Sequence, residues 1–393
     1  MAEIFRAAKV LPVSPGLPPV IEDGAVACED TGMGGERAIL AVGRYSDIKA
    51  AHPGAVRDLG DATLAPAVFN SHTHLEMTHL KDRLVRGQGF VPWVTSMLDH
   101  ALYAFETPLI QRELMRLEAR GTAFVADIST RNAPAMAGLL AASGLFSASF
   151  QEAIGSVVPE DPATLIHSLP SDVSDAFGRG LLSTAGHALY STSGALLQAA
   201  KRAASERGLP FSLHLAEHEE EDRILLTGQS AFLDLLRSRG FLTSYEPPRK
   251  RPLPLALELG LLDEKTLAVH CVRLSEPDMD ALAATGASVC LCPRSNEFIG
   301  VGIAPAAGLL RRGVNVCLGT DGLCSAPDLD VWGELAWLRQ RVLPELALAD
   351  GVALITRNPA RFFGLEGRLG SLEPGRLARF SVVPRQVEEA FSL

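Results

Sequence analysis

The chain lacks the features that tie a protein to a membrane or to a polyanion. No run of 18 apolar residues occurs in its 393 residues, so no membrane span is expected. Basic residues are in deficit: 36 Lys and Arg stand against 46 Asp and Glu, a formal net charge of −10. That balance argues against nucleic acid and against an anionic membrane surface as partners. The opening Met1-Ala2-Glu3-Ile4-Phe5-Arg6 has no secretory-leader layout, and a reducing cytoplasm is the expected compartment. Cysteine is sparse. Six are scattered, at Cys28, Cys271, Cys290, Cys292, Cys317 and Cys324, four of them in or beside apolar runs. This is the pattern of buried free thiols, not of a disulfide framework. Cys290 and Cys292 form C-x-C, but no second pair stands at zinc-ribbon spacing, so both are assigned to the core.

What is present is a large apolar fraction, 47%, in a chain long enough for one large domain and a smaller one. Short apolar runs alternate with helical patterns between about residues 63 and 325. Eight runs predict strands, at 64–74, 122–129, 145–152, 181–188, 210–216, 266–272, 288–294 and 315–321. Helix-like stretches lie between them, at 108–119, 134–142, 193–206, 230–239, 277–284 and 308–312. Strands alternating with helices predict parallel βα units, and eight of them predict an α/β fold of the (β/α)8 TIM-barrel type. The ends read differently. Residues 1–62 and 367–393 carry short β-like pieces broken by Gly, Pro and Asp, and neither end holds a core alone. A small composite β-sandwich from both ends is expected, with the barrel over 63–366. The Pro-rich, basic stretch 246–252 reads as a solvated loop.

The polar candidates fall at the C-terminal ends of the predicted strands, where barrels of this type build active sites. Residues two apart in a strand share a face, so Asn70, His72 and His74 point the same way. Two such imidazoles can chelate one metal ion. His214, His270 and Asp321 each end an apolar run of their own, with Glu217 three residues past His214. A lone histidine in an apolar strand is more often a satisfied core residue. Four strand ends carrying ligand-type residues argue for a shared partner, since buried polar groups need one. His72, His74, His214 and Asp321 suit one divalent metal, zinc or iron(II), with a position left for water. Asp321 is then placed to take a proton from that water, His270 to orient it, and Glu217 to protonate a substrate heteroatom. Glu219 to Asp222 read as a solvated charge run and His218 as exposed.

The segments Asn70-Ser71-His72-Thr73-His74-Leu75-Glu76, His214-Leu215-Ala216-Glu217, Val269-His270-Cys271, Cys292-Pro293-Arg294-Ser295-Asn296 and Gly319-Thr320-Asp321-Gly322 resemble the amidohydrolase superfamily. More narrowly they are similar to its cyclic-amidine deaminase and chlorohydrolase branch. The resemblance spans nearly the whole chain and implies His72, His74, His214 and Asp321 as metal ligands, Glu217 as proton shuttle and His270 as the water-orienting residue. It also implies His187 as a purine contact and pairing into a homodimer. Two-metal members bridge their ions with a lysine on strand four. No lysine occurs between Lys81 and Lys201, so one metal is expected, although Glu152 offers a substitute ligand.

Within the branch that the chain resembles, Glu217 implies hydrolytic deamination of an aminated purine, a small-molecule substrate. The segment Gly87-Gln88-Gly89-Phe90-Val91-Pro92-Trp93 resembles aminodeoxyfutalosine deaminases of menaquinone synthesis, which implies 6-amino-6-deoxyfutalosine as substrate. Gln88, with Trp93 or Phe90 as a stacking surface, is assigned to substrate binding. S-adenosylhomocysteine, methylthioadenosine, guanine or a chlorotriazine are the alternatives, and a barrel that binds without turnover is a third class.

Overall fold

The computed structural model describes residues 2–32, 35–102, 104–167, 180–240 and 245–391. The strands along the chain are β1 (Ala2–Val10), β2 (Ile21–Asp30), β3 (Arg37–Arg44), β4 (Gly54–Asp58), β5 (Thr63–Pro66), β6 (Val68–Thr73), β7 (Thr122–Ser129), β8 (Phe146–Ala153), β9 (Gly180–Gly186), β10 (Phe211–Leu215), β11 (Thr266–His270), β12 (Ser288–Leu291), β13 (Val316–Leu318) and β14 (Phe380–Val382). The chain divides into two compact units, one of Met1–Phe69, Arg116–Ala123 and Val331–Leu393, the other of Asn70–Met115 and Phe124–Asp330.

The first unit holds a six-stranded sheet of order β14-β5-β1-β2-β3, with β4 also on β1. Strands from both chain ends meet in it: β5 runs antiparallel to β14, with Pro66 opposite Phe380. The period-2 pattern of β2 explains its place near the centre. Ala25 and Ala27 pack with Ile4 and Ile48, while Val26 and Cys28 pack with Val10, Ile39, Leu64 and Leu372.

The second sheet has eight strands in the order β13 back to β6, each parallel to its neighbours, in a nearly closed barrel. Almost every residue of these strands is buried, as expected when both faces of a parallel sheet are covered. The ring is drawn shut beyond β13, where the N–H groups of Thr320 and Asp321 donate to the His72 carbonyl at 3.1 and 3.0 Å. Asn70 reinforces this closure, accepting from the Thr320 N–H at 3.1 Å and donating to Thr320 Oγ1 at 2.8 Å.

Several expected strands end earlier than the sequence implies: the run 288–294 stops at Leu291, where the helix Pro293–Ile299 follows, and two others are interrupted close to the site. The run 64–74 breaks at Ala67 into β5 and β6, because Pro66 has no N–H with which to continue a ladder. His74 leaves the strand and precedes the 3₁₀ turn Leu75–Leu80. The run 315–321 keeps ladder pairing only to Leu318. Gly319 is then required by packing, since a Cβ there would lie 2.8 Å from His72 Cβ and 2.9 Å from Cys290 Sγ. Helices start where side chains cap them: Ser193 accepts from the Leu196 N–H, Ser230 from Leu233 and Ser275 from Asp278. All six cysteines are free and buried. No helix among the described residues is long and apolar enough to cross a membrane.

Candidate active site

Strand ends in the second unit bring five imidazoles and three carboxyl groups together. His72, on β6, is fully buried, and neither ring nitrogen has a hydrogen-bond partner. Burial, then the neighbouring His74, His214 and His270, hold its pKa well below the ordinary imidazole value. His74 Nδ1 lies 3.1 Å from the Ile128 carbonyl, and His214 Nδ1 lies 2.9 Å from the His187 carbonyl. A carbonyl only accepts, so each Nδ1 carries the proton and each Nε2 presents a lone pair. Those two Nε2 atoms are 3.3 Å apart. Two lone pairs at that distance repel unless a cation lies between or beside them. Asp321 Oδ1 is 3.5 Å from His74 Nε2 and 3.7 Å from His72 Nε2.

The electrostatics favour a positive charge at this point. Burial lowers the pKa of His74, but Asp321, Glu152, Asp127 and Glu76 outweigh it and raise the net value. Asp321 shows the counterpart: burial raises its carboxyl, and His74, His270, Ser325 and Ser295 bring it below the usual range. The donor atoms of His72, His74 and Asp321 lie within 4.8 Å of one another, as do those of His72, His214 and His270. An orphaned buried imidazole, two facing lone pairs and a nearby carboxylate fit a divalent metal ion.

Four further groups face this centre. His270, at the end of β11, has Nδ1 3.2 Å from Asn296 Nδ2 and Nε2 3.7 Å from Glu217 Oε1. Its burial lowers the pKa to about 4. Glu217 has the opposite shift: burial, then Asp321 and Glu221, hold its pKa well above the carboxylate range, which favours its protonated form. His187 hydrogen-bonds Ser191 Oγ through Nδ1, and its ring centroid is 5.3 Å from that of His214. Glu152, on β8, lies 3.6 Å from His214 Nδ1 and accepts from Thr130 Oγ1 at 2.6 Å.

The backbone is strained here. Ala216, His270, Cys271 and Asp321 have φ of 52°, 72°, 50° and 61°, left-handed values that non-glycine residues rarely adopt. Each such residue costs on the order of 1–3 kcal/mol and persists only where its surroundings enforce it, a pattern that clusters at functional sites.

The structure gathers His72, His74, His187, His214, His270, Glu217 and Asp321. Gln88 and Trp93 make no bond or ring contact with this imidazole cluster among the described residues. Gln88 is exposed, and Trp93 donates its indole N–H to the Cys324 carbonyl at 3.1 Å while packing near Leu80, Leu84 and Met97. His218, expected to be exposed, is buried. It caps the helix Glu219–Thr227 by accepting the Glu221 N–H at 3.0 Å, and its ring stacks on Phe90 with centroids 3.6 Å apart. Glu221 is buried too, because it accepts the Glu217 N–H at 2.9 Å, so the charge run is solvated only in part. Sequence reasoning assigned no role to Ser295, Asn296 or Ser325, although the first two lie in a motif quoted for the family resemblance. Ser295 and Ser325 donate to Asp321 Oδ2 at 2.7 and 2.6 Å.

Residues 63–392 match the model described as Amidohydrolase family. The 5-methylthioadenosine/S-adenosylhomocysteine deaminase of Nitratidesulfovibrio vulgaris is 31% identical over 376 residues, covering 91% of this chain and 78% of that protein. The crystal structure of an adenosine deaminase from Xanthomonas campestris with bound zinc is 25% identical, with a TM-score of 0.73 over 96% of this chain and 83% of that one. Helicobacter pylori aminofutalosine deaminase in complex with methylthio-coformycin has a TM-score of 0.82 over 99% and 95% of the two chains. At 22% identity that likeness is one of fold.

Proposed function

Because the chain belongs to the amidohydrolase family, we propose that it is a metal-dependent hydrolase that deaminates a 6-aminopurine nucleoside, with the strand-end cluster as its active site. One observation carries the reading. Tautomers fixed by the Ile128 and His187 carbonyls aim two imidazole lone pairs at each other across 3.3 Å, and the Glu217 carboxyl, whose pKa burial raises, lies 3.7 Å from His270 in the same cluster.

His72, His74, His214 and Asp321 would hold the ion. When bound, a divalent metal lowers the pKa of water and so supplies a nucleophile at neutral pH. The residues of the chain do the rest. Asp321 Oδ1, whose partner oxygen is tied to Ser295 and Ser325, accepts the proton released by the attacking water. His270 orients the oxygen that adds to C6. Glu217 delivers its proton to the adjacent ring nitrogen, so no negative charge builds up on the purine. Asp321 passes the proton it took from water to the amino group, which leaves the tetrahedral carbon as ammonia, and the remaining hydroxyl proton returns to Glu217 as the carbonyl forms.

Among substrates, 5-methylthioadenosine and S-adenosylhomocysteine come first, because a relative at 31% identity is named for them. A second reading, 6-amino-6-deoxyfutalosine, is favoured by the sequence of residues 87–93. Ammonia release from these three compounds and adenosine, measured with zinc or iron(II) supplied and metal content determined, tests the proposal. The expected result is turnover of at least one nucleoside. Metal-loaded protein that releases ammonia from none of them refutes it.

A further inference from the structure

We infer that Ser295 and Asn296, consecutive residues in the helix Pro293–Ile299 after β12, are a positioning pair: one fixes which oxygen of Asp321 faces the imidazoles, and the other fixes the tautomer of His270. The inference rests on the metal-dependent reading above and adds two residues to it.

Topology makes the arrangement possible. β12 lies between β11 and β13, so the segment leaving β12 is flanked by the ends of both neighbours. Successive side chains on a helix diverge by roughly 100°. One therefore reaches Asp321 beyond β13 while the next reaches His270 at the end of β11. The Asn296 N–H is itself held by the Cys292 carbonyl at 3.0 Å.

Ser295 and Ser325 are both fully buried, and their hydroxyls converge on Asp321 Oδ2 at 2.7 and 2.6 Å, with 2.9 Å between the two oxygens. A hydroxyl has one proton to donate. With both committed to Oδ2, the carboxylate presents Oδ1 alone to His72 and His74. Exchanging the two oxygens would break both charge-assisted bonds.

Asn296 is buried, and its Nδ2 donates to His270 Nδ1 at 3.2 Å. A neutral imidazole carries one proton, so an accepting Nδ1 places that proton on Nε2. His74 and His214 are the reverse, with Nδ1 as donor to a carbonyl. A protonated nitrogen cannot ligate a metal. Asn296 thus separates His270 from the ligands, although its donor atom lies within 4.8 Å of those of His72 and His214. His270 becomes a hydrogen-bond donor aimed at the reacting oxygen.

Two measurements on the full chain test this, neither of which needs a substrate. The first is zinc affinity, by competition with a chelator. Ser295→Ala and Ser325→Ala are each expected to weaken it about 10-fold and the double variant about 100-fold, the range for loss of an outer partner of a ligand. Ser295→Thr, which keeps the hydroxyl, restores affinity. The second is ¹⁵N NMR of labelled histidine, with the His270 signals assigned by their loss in His270→Gln. The expected form is Nε2–H in the parent protein and Nδ1–H in the isosteric Asn296→Asp, whose carboxylate accepts from Nδ1. Turnover in Asn296→Asp should fall on the order of 100-fold with zinc affinity undiminished. Zinc affinity unchanged in the double serine variant, or Nδ1–H in the parent protein, overturns the inference. Absence of deamination with both readouts as expected overturns the proposed reaction and leaves the positioning pair standing.

Discussion

The two sheets treat charge in opposite ways. In the six-stranded sheet it stays in water: Arg6 on β1 pairs with Asp23 and Asp58 at 2.8 and 3.2 Å, all three side chains more than a third exposed. In the eight-stranded sheet the polar residues lie inside. Asn70, His72, Asp127, Glu152, His214 and His270 are buried at strand ends. The six-stranded sheet can leave a charge at its surface at little cost. A parallel strand covered on both faces cannot, and a buried charge without a partner costs far more than a surface pair contributes. The lesson is where to look for chemistry. Polar atoms gathered where the fold makes them expensive, on a strained backbone, mark the part of the molecule held together for something other than stability.

Substitutions can sharpen or break this contrast. The largest effect is expected for Glu217→Gln, which removes the ionisable proton but keeps the shape. Ammonia release should fall about 10³-fold, with the melting temperature scarcely moved. Loss of stability in place of activity would erase the distinction between the sheets. Next comes Glu221, whose burial raises its pKa to about 8 from an ordinary 4.5. The folded state holds this proton more tightly than the unfolded chain. Its contribution is therefore complete below pH 4.5 and is lost as pH rises through about 8. Urea unfolding across that window should show a decline on the order of a few kcal/mol that is flatter in Glu221→Gln. Equal slopes in the two proteins would show that this group carries no such linkage. Gly319→Ala, by crowding His72 and Cys290, should destabilise by about 1–3 kcal/mol in thermal unfolding. The smallest effect is expected in the other sheet, where Arg6→Ala should leave the melting temperature without a resolvable change. A clear drop there would mean that exposed pairs matter more to this fold than the comparison allows.

Much of the architecture was legible because periodicity is local. Alternating apolar runs and helical stretches reveal parallel βα units, and a spacing of two places His72 and His74 on one face. The legible part ends where contacts between distant segments decide. Nothing near Pro66 says that the chain changes sheets after it, because the sheet it leaves is completed by residues around Phe380. His218 reads as surface from the acidic residues that follow it. It is buried because Phe90, more than a hundred residues earlier, supplies an aromatic face. Ser295 and Asn296 look like ordinary turn residues, and their partners lie elsewhere in the chain, Asp321 beyond the end of β13 and His270 at the end of β11.

The sequence by itself determined the class of fold and the residue types placed at the strand ends, since both follow from patterns no longer than a strand or a helix. Only the tertiary structure decided which atoms face one another: two Nε2 lone pairs across 3.3 Å, one Asp321 oxygen bound by hydroxyls and the other turned to the imidazoles. The reason is geometric. Hydrogen-bond direction and proton position depend on neighbours that closure of the barrel brings within 3 to 4 Å, and no local pattern encodes that meeting.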